Sequence, residues 1–600
     1  MRQALQSVGG ATIRFYPEVG VCEACGERLQ VYKTQTRSIT TLEYGIFQAH
    51  ETVLFCPRRC AGPTGKRRLY RSQFLAQLVS PRHVYGFDVL AKVGILRFLK
   101  CRQRLEIQEE IRKAYGFLIP EGSIDELIER FVDAILALHE QKVPQLRASL
   151  EAAGGYILHV DGTCEEGSSV HFACLTGPEP MVLWSDKIES ENAIEIRGVL
   201  AEIEKRFGKP AASVEDLSAA IRKAVLKQWP GLQIFYCHQH FLRDVGKDLL
   251  GKPYILLRAI LRQSEIRPQL RRLLKSISNE FGWKMEEARQ ICQHLDDPGF
   301  LNGKDRSLKA AAAAGGVTEW ILSASTEGGG QGFPFDLPHL SFCLRASQSL
   351  DILDKRIMPN LTGRTPRGEK LLFRLRGFLH VFLKSDDLAG IVAELKEANA
   401  VFTRLRNVLR LAADRGRGMN QESCYQNPED VQKTEQALLN LHGEMYRERN
   451  GDSSPHRCKA VKIVLKHLDK FWEGLFGHCL PLAGQEGDRY LMVQRTNNMA
   501  EGYFRGVKRF ARRISGKKKL RREVDALPGH VLLVFNLKIP QYVKIVCGSL
   551  EQLPEVFAKL AQRGNFPRPP EKDFQARILD RNTRRQPDFP TKVTAAFGRV

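Results

Sequence analysis

The chain has 600 residues, and 91 Lys and Arg against 68 Asp and Glu leave a formal charge of +23. A hydrophobic share of 43% with 8% aromatics supports real cores, which excludes a mainly disordered chain, and the length predicts roughly four domains. No stretch approaches the ~18 apolar residues of a membrane helix, and MRQALQSVGGATIRF lacks the apolar centre of a signal peptide, so a soluble intracellular protein is expected. The positive excess points to a polyanionic partner, with nucleic acid the first candidate. A solvated basic surface would give the same total, so position has to separate the two.

At the N-terminus, Cys22-x2-Cys25 and Cys56-x3-Cys60 are two short-spaced pairs. Four thiolates from two tight turns suit tetrahedral Zn2+, and the intervening RSITTLEYGIFQAHETVLF reads as strands that bring the pairs together, a zinc ribbon. The second pair argues against a lone redox motif. Arg58, Arg59, Lys66, Arg67, Arg68 and Arg71 follow with no acid between positions 58 and 72, a candidate phosphate-contacting rim. Two helical patterns come next, 88–115 and 123–140. Ser123 with Glu126 predicts a capping box, and Ile124, Leu127, Ile128, Phe131 and Ile135 an apolar stripe. Helix, short turn and helix after a basic ribbon suit a helix-turn-helix reader. An ordinary helical bundle fits nearly as well, because Glu121, Asp125, Glu126 and Glu129 make the second helix acidic.

Beyond Gly154-Gly155 the pattern changes. YILHVDGT predicts a buried strand ending on Asp161, and SSVHFACLTG and PMVLWSD two further strands. A helix over 191–207 precedes a short strand, AASVED, that ends on Asp216. A helix over 217–228 and the strand LQIFYCHQHF complete an order βββαβαβ.

This order resembles the ribonuclease H-like fold, and its details resemble the DDE transposases of bacterial insertion sequences, close to the Mutator-like type. The family's first Asp matches Asp161 in HVDGT, and its second matches Asp216 in VEDLSAAIRKAV, with the adjacent Glu215 as a competitor for that role. Its C-x-x-H signature matches Cys237 and His240 in CHQH, and its third acid matches Glu501 in RTNNMAEGYFRGVKRFARRISG. The resemblance covers roughly 150–545. It implies a catalytic triad Asp161, Asp216 and Glu501 holding Mg2+ or Mn2+, since hard cations take carboxylate oxygens and serve phosphodiester chemistry. The long separation before Glu501 implies a large insertion.

Helix geometry at Glu501 is separable from the resemblance. Tyr503, Val507, Phe510 and Ile514 make an apolar stripe, and Glu501, Arg505, Lys508 and Arg512 share a stripe about 160–180° away. From Arg505 to Arg522, ten of 18 residues are Lys or Arg and none is acidic. Arg505, Lys508, Arg509, Arg512, Arg513, Lys517 and Lys518 are therefore candidate DNA contacts. On a strand, Cys237 and His240 would point to opposite faces, which favours a structural role over zinc; His238 reads as a satisfied or exposed histidine.

Residues 241–300 and 345–480 carry helical periodicity. Ala310–Ala314 with Gly315-Gly316, and the run Gly328-Gly329-Gly330-Gln331-Gly332, read as hinges or loops without a P-loop lysine. Trp320 between them reads as packed, with base stacking as the alternative. Arg415 and Arg417 suit either phosphate contact or a solvated turn. Val531–Phe535 has the length of a core strand, and the last fifty residues read as an irregular tail.

The expected architecture is α/β: zinc ribbon 1–80, helical region 81–150, ribonuclease H-like core 151–245, α-helical insertion 246–490, final catalytic helix and basic segment 491–545, tail 546–600. The resemblance implies a transposase acting on double-stranded DNA as a homo-oligomer on paired element ends, away from membranes, nucleoid-associated in a bacterial cytoplasm or nuclear in a eukaryote. A domesticated DNA-binding regulator on the same fold and a ribonuclease H-like nuclease are the rival readings.

Overall fold

The computed structural model describes residues 11–61, 67–177, 181–282, 290, 300–326, 330–361, 366–411, 424–451, 453–482 and 490–563. Lys66, Gly328, Gly329, Arg415, Arg417 and the part of the expected tail after 563 lie outside them. The strands are β1 (Thr12–Phe15), β2 (Gln30–Thr41), β3 (Gly45–Phe55), β4 (Leu69–Tyr70), β5 (Ile157–Thr163), β6 (Val170–Gly177), β7 (Met181–Ile188), β8 (Ala212–Glu215), β9 (Ile234–Tyr236), β10 (Cys479–Pro481) and β11 (Tyr490–Met492). Helices of eight or more residues are α1 (Phe87–Gly94), α2 (Arg104–Tyr115), α3 (Glu121–Ala152), α4 (Ala193–Phe207), α5 (Ala219–Gln228), α6 (His238–Gln263), α7 (Ile266–Phe281), α8 (Arg306–Ser323), α9 (Pro338–Ile352), α10 (Arg367–Leu383), α11 (Asp386–Val408), α12 (Pro428–Glu448), α13 (Pro455–Phe471), α14 (Asn498–Ser515) and α15 (Leu553–Gln562). The chain is α/β and divides into two units. Among the described residues, the first comprises positions up to Tyr156, Val160–Pro210 and those from Ala500. The second comprises Ile157–His159 and Ala211–Met499.

Five strands make one mixed sheet in the order β7-β6-β5-β8-β9. β6 and β7 are antiparallel, with Val170 opposite Ile188. β8 lies parallel to β5, with His159 opposite Val214, and β9 parallel to β8, with Val214 opposite Phe235. All four residues of β8 are buried, as expected where both faces of parallel strands are covered.

In the first unit, β2 and β3 form a long antiparallel hairpin, and β1 lies parallel to β3. Phe15, Ile39, Phe47, Ala49, Leu75 and Val79 form the core at its turn end. The expected helix over 88–115 is two helices. α1 passes into a wider π turn over Ile95–Leu99, and the chain breaks at Cys101, where φ is +53°. α3 is longer than expected, running from Glu121 through Pro144 to Ala152. The capping box at Ser123 does not form, because the helix starts earlier. Pro120, its φ already near the helical value, is the N-cap, and its carbonyl accepts from Ser123 N–H at 2.9 Å and Ile124 N–H at 3.1 Å. The box sits instead at Gln103, whose N–H donates to Glu106 Oε2 at 2.8 Å.

Two further expectations change here. Val531–Phe535 is not a strand but part of a buried 3-10 helix over Gly529–Lys538. An unbroken apolar run has no period to distinguish the two, and β7 needs no further strand at Val182, whose N–H and C=O are both met by the Asn536 side-chain amide at 2.8 Å. The chain after 546 is not all tail, because α15 is folded and its Phe557 meets Phe131 of α3 edge to face at 5.9 Å.

The second unit is dominated by α6 to α13 around one large apolar cluster. Ala310–Gly316, expected as a hinge, is fully buried inside α8. Residues without bulk beyond Cβ let helices approach closely, which offsets the ~1 kcal/mol a mid-helix glycine costs. The same closeness appears at Gly368, where an added Cβ would stand 1.8 Å from the Ser307 carbonyl oxygen. Gly368→Ala is expected to destabilise the protein by about 1–3 kcal/mol or more, read as a lowered urea midpoint; an unchanged midpoint would refute this packing. Trp320, 38% exposed on α8, carries the Arg345 guanidinium 5.0 Å from its ring centroid. Among the described residues, no single helix is long and apolar enough to cross a membrane.

Candidate functional site

The four N-terminal cysteines converge. Their Sγ atoms all lie within 4.8 Å of one another, with Cys25 and Cys56 3.5 Å apart and Cys56 and Cys60 3.8 Å apart. The β2–β3 hairpin produces this by returning the chain from Gln30 to its partner Phe55, beside the second pair. Tyr70 donates its hydroxyl to Cys22 Sγ at 3.3 Å, which with backbone N–H groups holds that thiol down at about 6. Hydrogen bonding from Cys25 and Cys56 pushes Cys60 up to about 12. Four thiols this close do not all ionise unless a cation compensates them, so the donor set fits a metal such as zinc.

The basic rim is largely occupied within the protein. Arg58 pairs with Glu27 at 3.0 Å, Arg68 pairs with Glu23, and Arg67 lies 3.7 Å over the Phe55 ring. Arg59 is exposed with φ of +56°.

The second cluster forms where β8 and β9 end. Strand alternation turns the two adjacent acids of VED in different directions. Glu215 is fully buried and accepts from Ser213 Oγ at 3.1 Å, and burial pushes its carboxyl up to about 8. Asp216 is half-buried and meets His240 Nδ1 at 2.9 Å. The expected strand LQIFYCHQHF stops at Tyr236; Cys237 is the N-cap of α6, and the chain turns there. The turn removes the objection that Cys237 and His240 face apart. Asp216, Cys237 and His240 offer ligand atoms all within 4.8 Å of one another. Burial works against the charged imidazole, but Asp216 and Cys237 outweigh it and carry His240 up to about 11. His238 is buried and only half satisfied: its Nε2 lies 3.2 Å from the Leu475 carbonyl oxygen, while its Nδ1 has no hydrogen-bond partner among the described residues.

The sequence assigns no role to three residues of this site, although His159 and Asn497 lie within its HVDGT and RTNNMAEG segments. Asn497 donates its side-chain N–H to Asp216 Oδ1 at 3.3 Å and its backbone N–H to Cys237 Sγ at 3.2 Å. The Asn497 side-chain Oδ1 lies 3.1 Å from His159 Nδ1, whose Nε2 is 3.0 Å from the Gln494 side-chain Oε1. Burial lowers the His159 pKa and favours the neutral ring. Gln494, Arg495, Thr496 and Asn497 are all buried polar residues. In the sequence, Arg495, Thr496 and Asn497 open the segment RTNNMAEGYFRGVKRFARRISG, where only Glu501 and the residues after it carry expected roles.

Asp161 and Glu501 belong to the first unit, Asp216 to the second. Asp161 is half-buried near the end of β5, and its Oδ1 accepts from Gly162 N–H at 2.8 Å. Glu501 lies in the first turn of α14, which buries Ala500, Phe504, Val507, Phe510 and Ala511. Phe510 packs between Phe98 at 5.5 Å and Phe535 at 5.3 Å, and Tyr503 donates to the Leu532 carbonyl at 2.6 Å. The apolar stripe therefore leans toward Phe504 and Ala511 rather than Ile514. Arg505, Arg509, Arg512, Arg513, Lys517 and Lys518 are exposed. Lys508 is drawn to Glu165 at 3.1 Å, and Lys517 to Glu523 at 2.6 Å. Neither Asp161 nor Glu501 joins a metal-capable cluster among the described residues.

Glu215 provides a pH test. Its carboxyl is raised from 4.5 to about 8, so the folded state binds the extra proton between those values. Its contribution is fully present below about 4.5 and lost as pH rises through 8, of order 3–5 kcal/mol in all. Glu215→Gln is expected to remove this slope and to raise stability at pH 8 and above, measured by denaturant melts across pH. A slope that survives the substitution would place its source elsewhere.

No family model matches the chain, and no curated protein is significantly similar to it.

Proposed function

We propose that this chain is a metal-dependent DNA transposase of the ribonuclease H-like, DDE type, binding the ends of its element as an oligomer and carrying out strand cleavage and transfer. The observation that carries this reading is the sheet order β7-β6-β5-β8-β9, with Asp161 near the end of β5 and Asp216 directly after the last residue of β8. His159 and Val214 are register partners, and Asp161 and Asp216 each follow by two residues. Ligands of open α/β sheets gather at the carboxyl ends of such strands. Glu501, in the first turn of an amphipathic helix with cations on its exposed face, is the third carboxylate.

The three carboxylates offer the oxygens that Mg2+ or Mn2+ takes. A cation held by these residues would supply activation of the attacking oxygen and relief of charge on the leaving one. The chain's own contribution is positional. His240 and Asn497 fix the Asp216 carboxylate, and Arg505, Arg509, Arg512 and Arg513 present cations to the phosphate backbone. Cys22, Cys25, Cys56 and Cys60 would hold Zn2+, which would fix the ribbon.

The test is cleavage and joining of duplexes carrying the inverted repeats that flank the gene, with Mg2+ supplied. Joined 3′ ends are expected. Binding without cleavage would leave a DNA-binding regulator, and preference for RNA–DNA hybrids would leave a ribonuclease H-like nuclease.

A further inference from the structure

The donors around Asp216 are mismatched to a hard cation. A carboxylate alone suits Mg2+, but the neighbouring ligand atoms are a thiol and an imidazole, which select softer ions of the zinc class. Their placement is that of a built site. Cys237 stands at the N-terminus of the 26-residue α6, and its Sγ receives the Asn497 backbone N–H at 3.2 Å. Asp216 is steadied from outside by the Asn497 amide, and that amide by His159, an outer layer of the kind that orients metal ligands. Ligand atoms around tetrahedral zinc stand about 3.3–3.7 Å apart; the Asp216–His240 separation of 2.9 Å needs to open only slightly.

From this geometry we infer that Asp216, Cys237 and His240 form a second zinc-class site, separate from the four-cysteine cluster, with three protein ligands and an open fourth position. Its occupancy withdraws Asp216 from the hard-cation chemistry proposed above; this consequence, unlike the site itself, rests on that proposed function. Zinc thereby holds the enzyme inactive, and removing zinc from this site alone releases Asp216.

The test uses the full-length chain, stripped of metal and reloaded with Zn2+ or Co2+. Two equivalents per chain are expected. Cys237→Ser and His240→Asn should each lose one equivalent and keep the other, while Cys22→Ser with Cys56→Ser should lose the complementary one. With Co2+, the equivalent kept by the ribbon variant should give a tetrahedral spectrum with weaker sulfur-to-metal absorption than the four-thiolate site. One equivalent in the native chain, or two that survive both Cys237→Ser and His240→Asn, overturns the site. In the native chain, raising zinc loading from one to two equivalents should suppress Mg2+-dependent cleavage at least tenfold. Undiminished cleavage at two equivalents overturns the inhibitory role. Failure of Mg2+ to support cleavage at any zinc loading overturns the proposed function, and the metal site then stands or falls on its stoichiometry.

Discussion

Asp216→Asn is expected to abolish Mg2+-dependent DNA cleavage, with a loss of roughly 10^3-fold or more, about 4 kcal/mol of transition-state stabilisation. Asn keeps the volume and one acceptor oxygen, so the hydrogen bond from Asn497 can persist, but the negative charge is gone. Two functions are expected to fail together: the proposed hard cation would lose an anionic ligand, and His240 would lose the partner 2.9 Å away that raises its pKa. The native pair makes a second, independent signature. His240 is raised from 6.5 to about 11, so its stabilising contribution is complete below 6.5 and disappears as pH climbs through 11. Asp216→Asn should flatten that alkaline limb. The control is next door: Glu215→Gln alters only the buried neighbour and should retain cleavage. Nicking of a labelled duplex measures the first effect and duplex binding confirms intact folding. Native-level cleavage by Asp216→Asn would remove this residue from the reaction, and loss in Glu215→Gln with retention in Asp216→Asn would reverse the assignment.

Stripping metal from the N-terminal cluster, or replacing Cys56 with Ser, is expected to unfold one end of the hairpin and leave the other standing. Around the cysteines the buried apolar contribution is small: among the described residues, Leu29 and Tyr70 are the non-cysteine members of the buried cluster, with Val19 and Leu54 packed partly buried against it. Structural zinc supplies roughly 10–16 kcal/mol of apparent binding energy in small domains, most of it folding energy. Here that energy has no nearby substitute. At the opposite end Phe15, Ile39, Phe47, Ala49, Leu75 and Val79 form their own core. Hydrogen exchange should therefore show lost protection across Cys22–Leu29 and at Leu69–Tyr70, with protection kept around Ile39 and Phe47. Full protection at Cys22–Leu29 without metal would make the four thiols an incidental group.

Much of the fold was legible because its signals were periodic or chemically narrow. The four cysteines carried their message in spacing, and β5, β6 and β7 in apolar runs bounded by Gly and Asp. What was lost had no period or pointed both ways. Val531–Phe535 is apolar at every position, so strand and 3-10 helix look alike until Asn536 is seen meeting the β7 backbone. Ala310–Gly316 has the composition of a hinge, but small size serves close packing equally well, and neighbouring helices decide. The Cys237–His240 turn was hidden because IFYC reads as continuing strand while HQHF is already helix. Asn497, Gln494 and His159 were invisible for a different reason. Amides and a neutral imidazole gain importance only from partners about 335 residues away, and nothing local marks them.

That last distance has a consequence in time. Asp216 and the amide that orients it are separated by 281 positions. At about 5–20 residues per second, a ribosome that has made Asp216 works on for roughly 15–55 s before Asn497 exists. Until then Asp216 and Cys237 lack their tie to that residue, and His159 lacks both of its partners. A nascent chain that ends between residues 216 and 494 carries Asp161 and Asp216 but neither Glu501 nor the amides that orient Asp216. Synthesis order alone keeps these contacts unmade until residue 497 has been added.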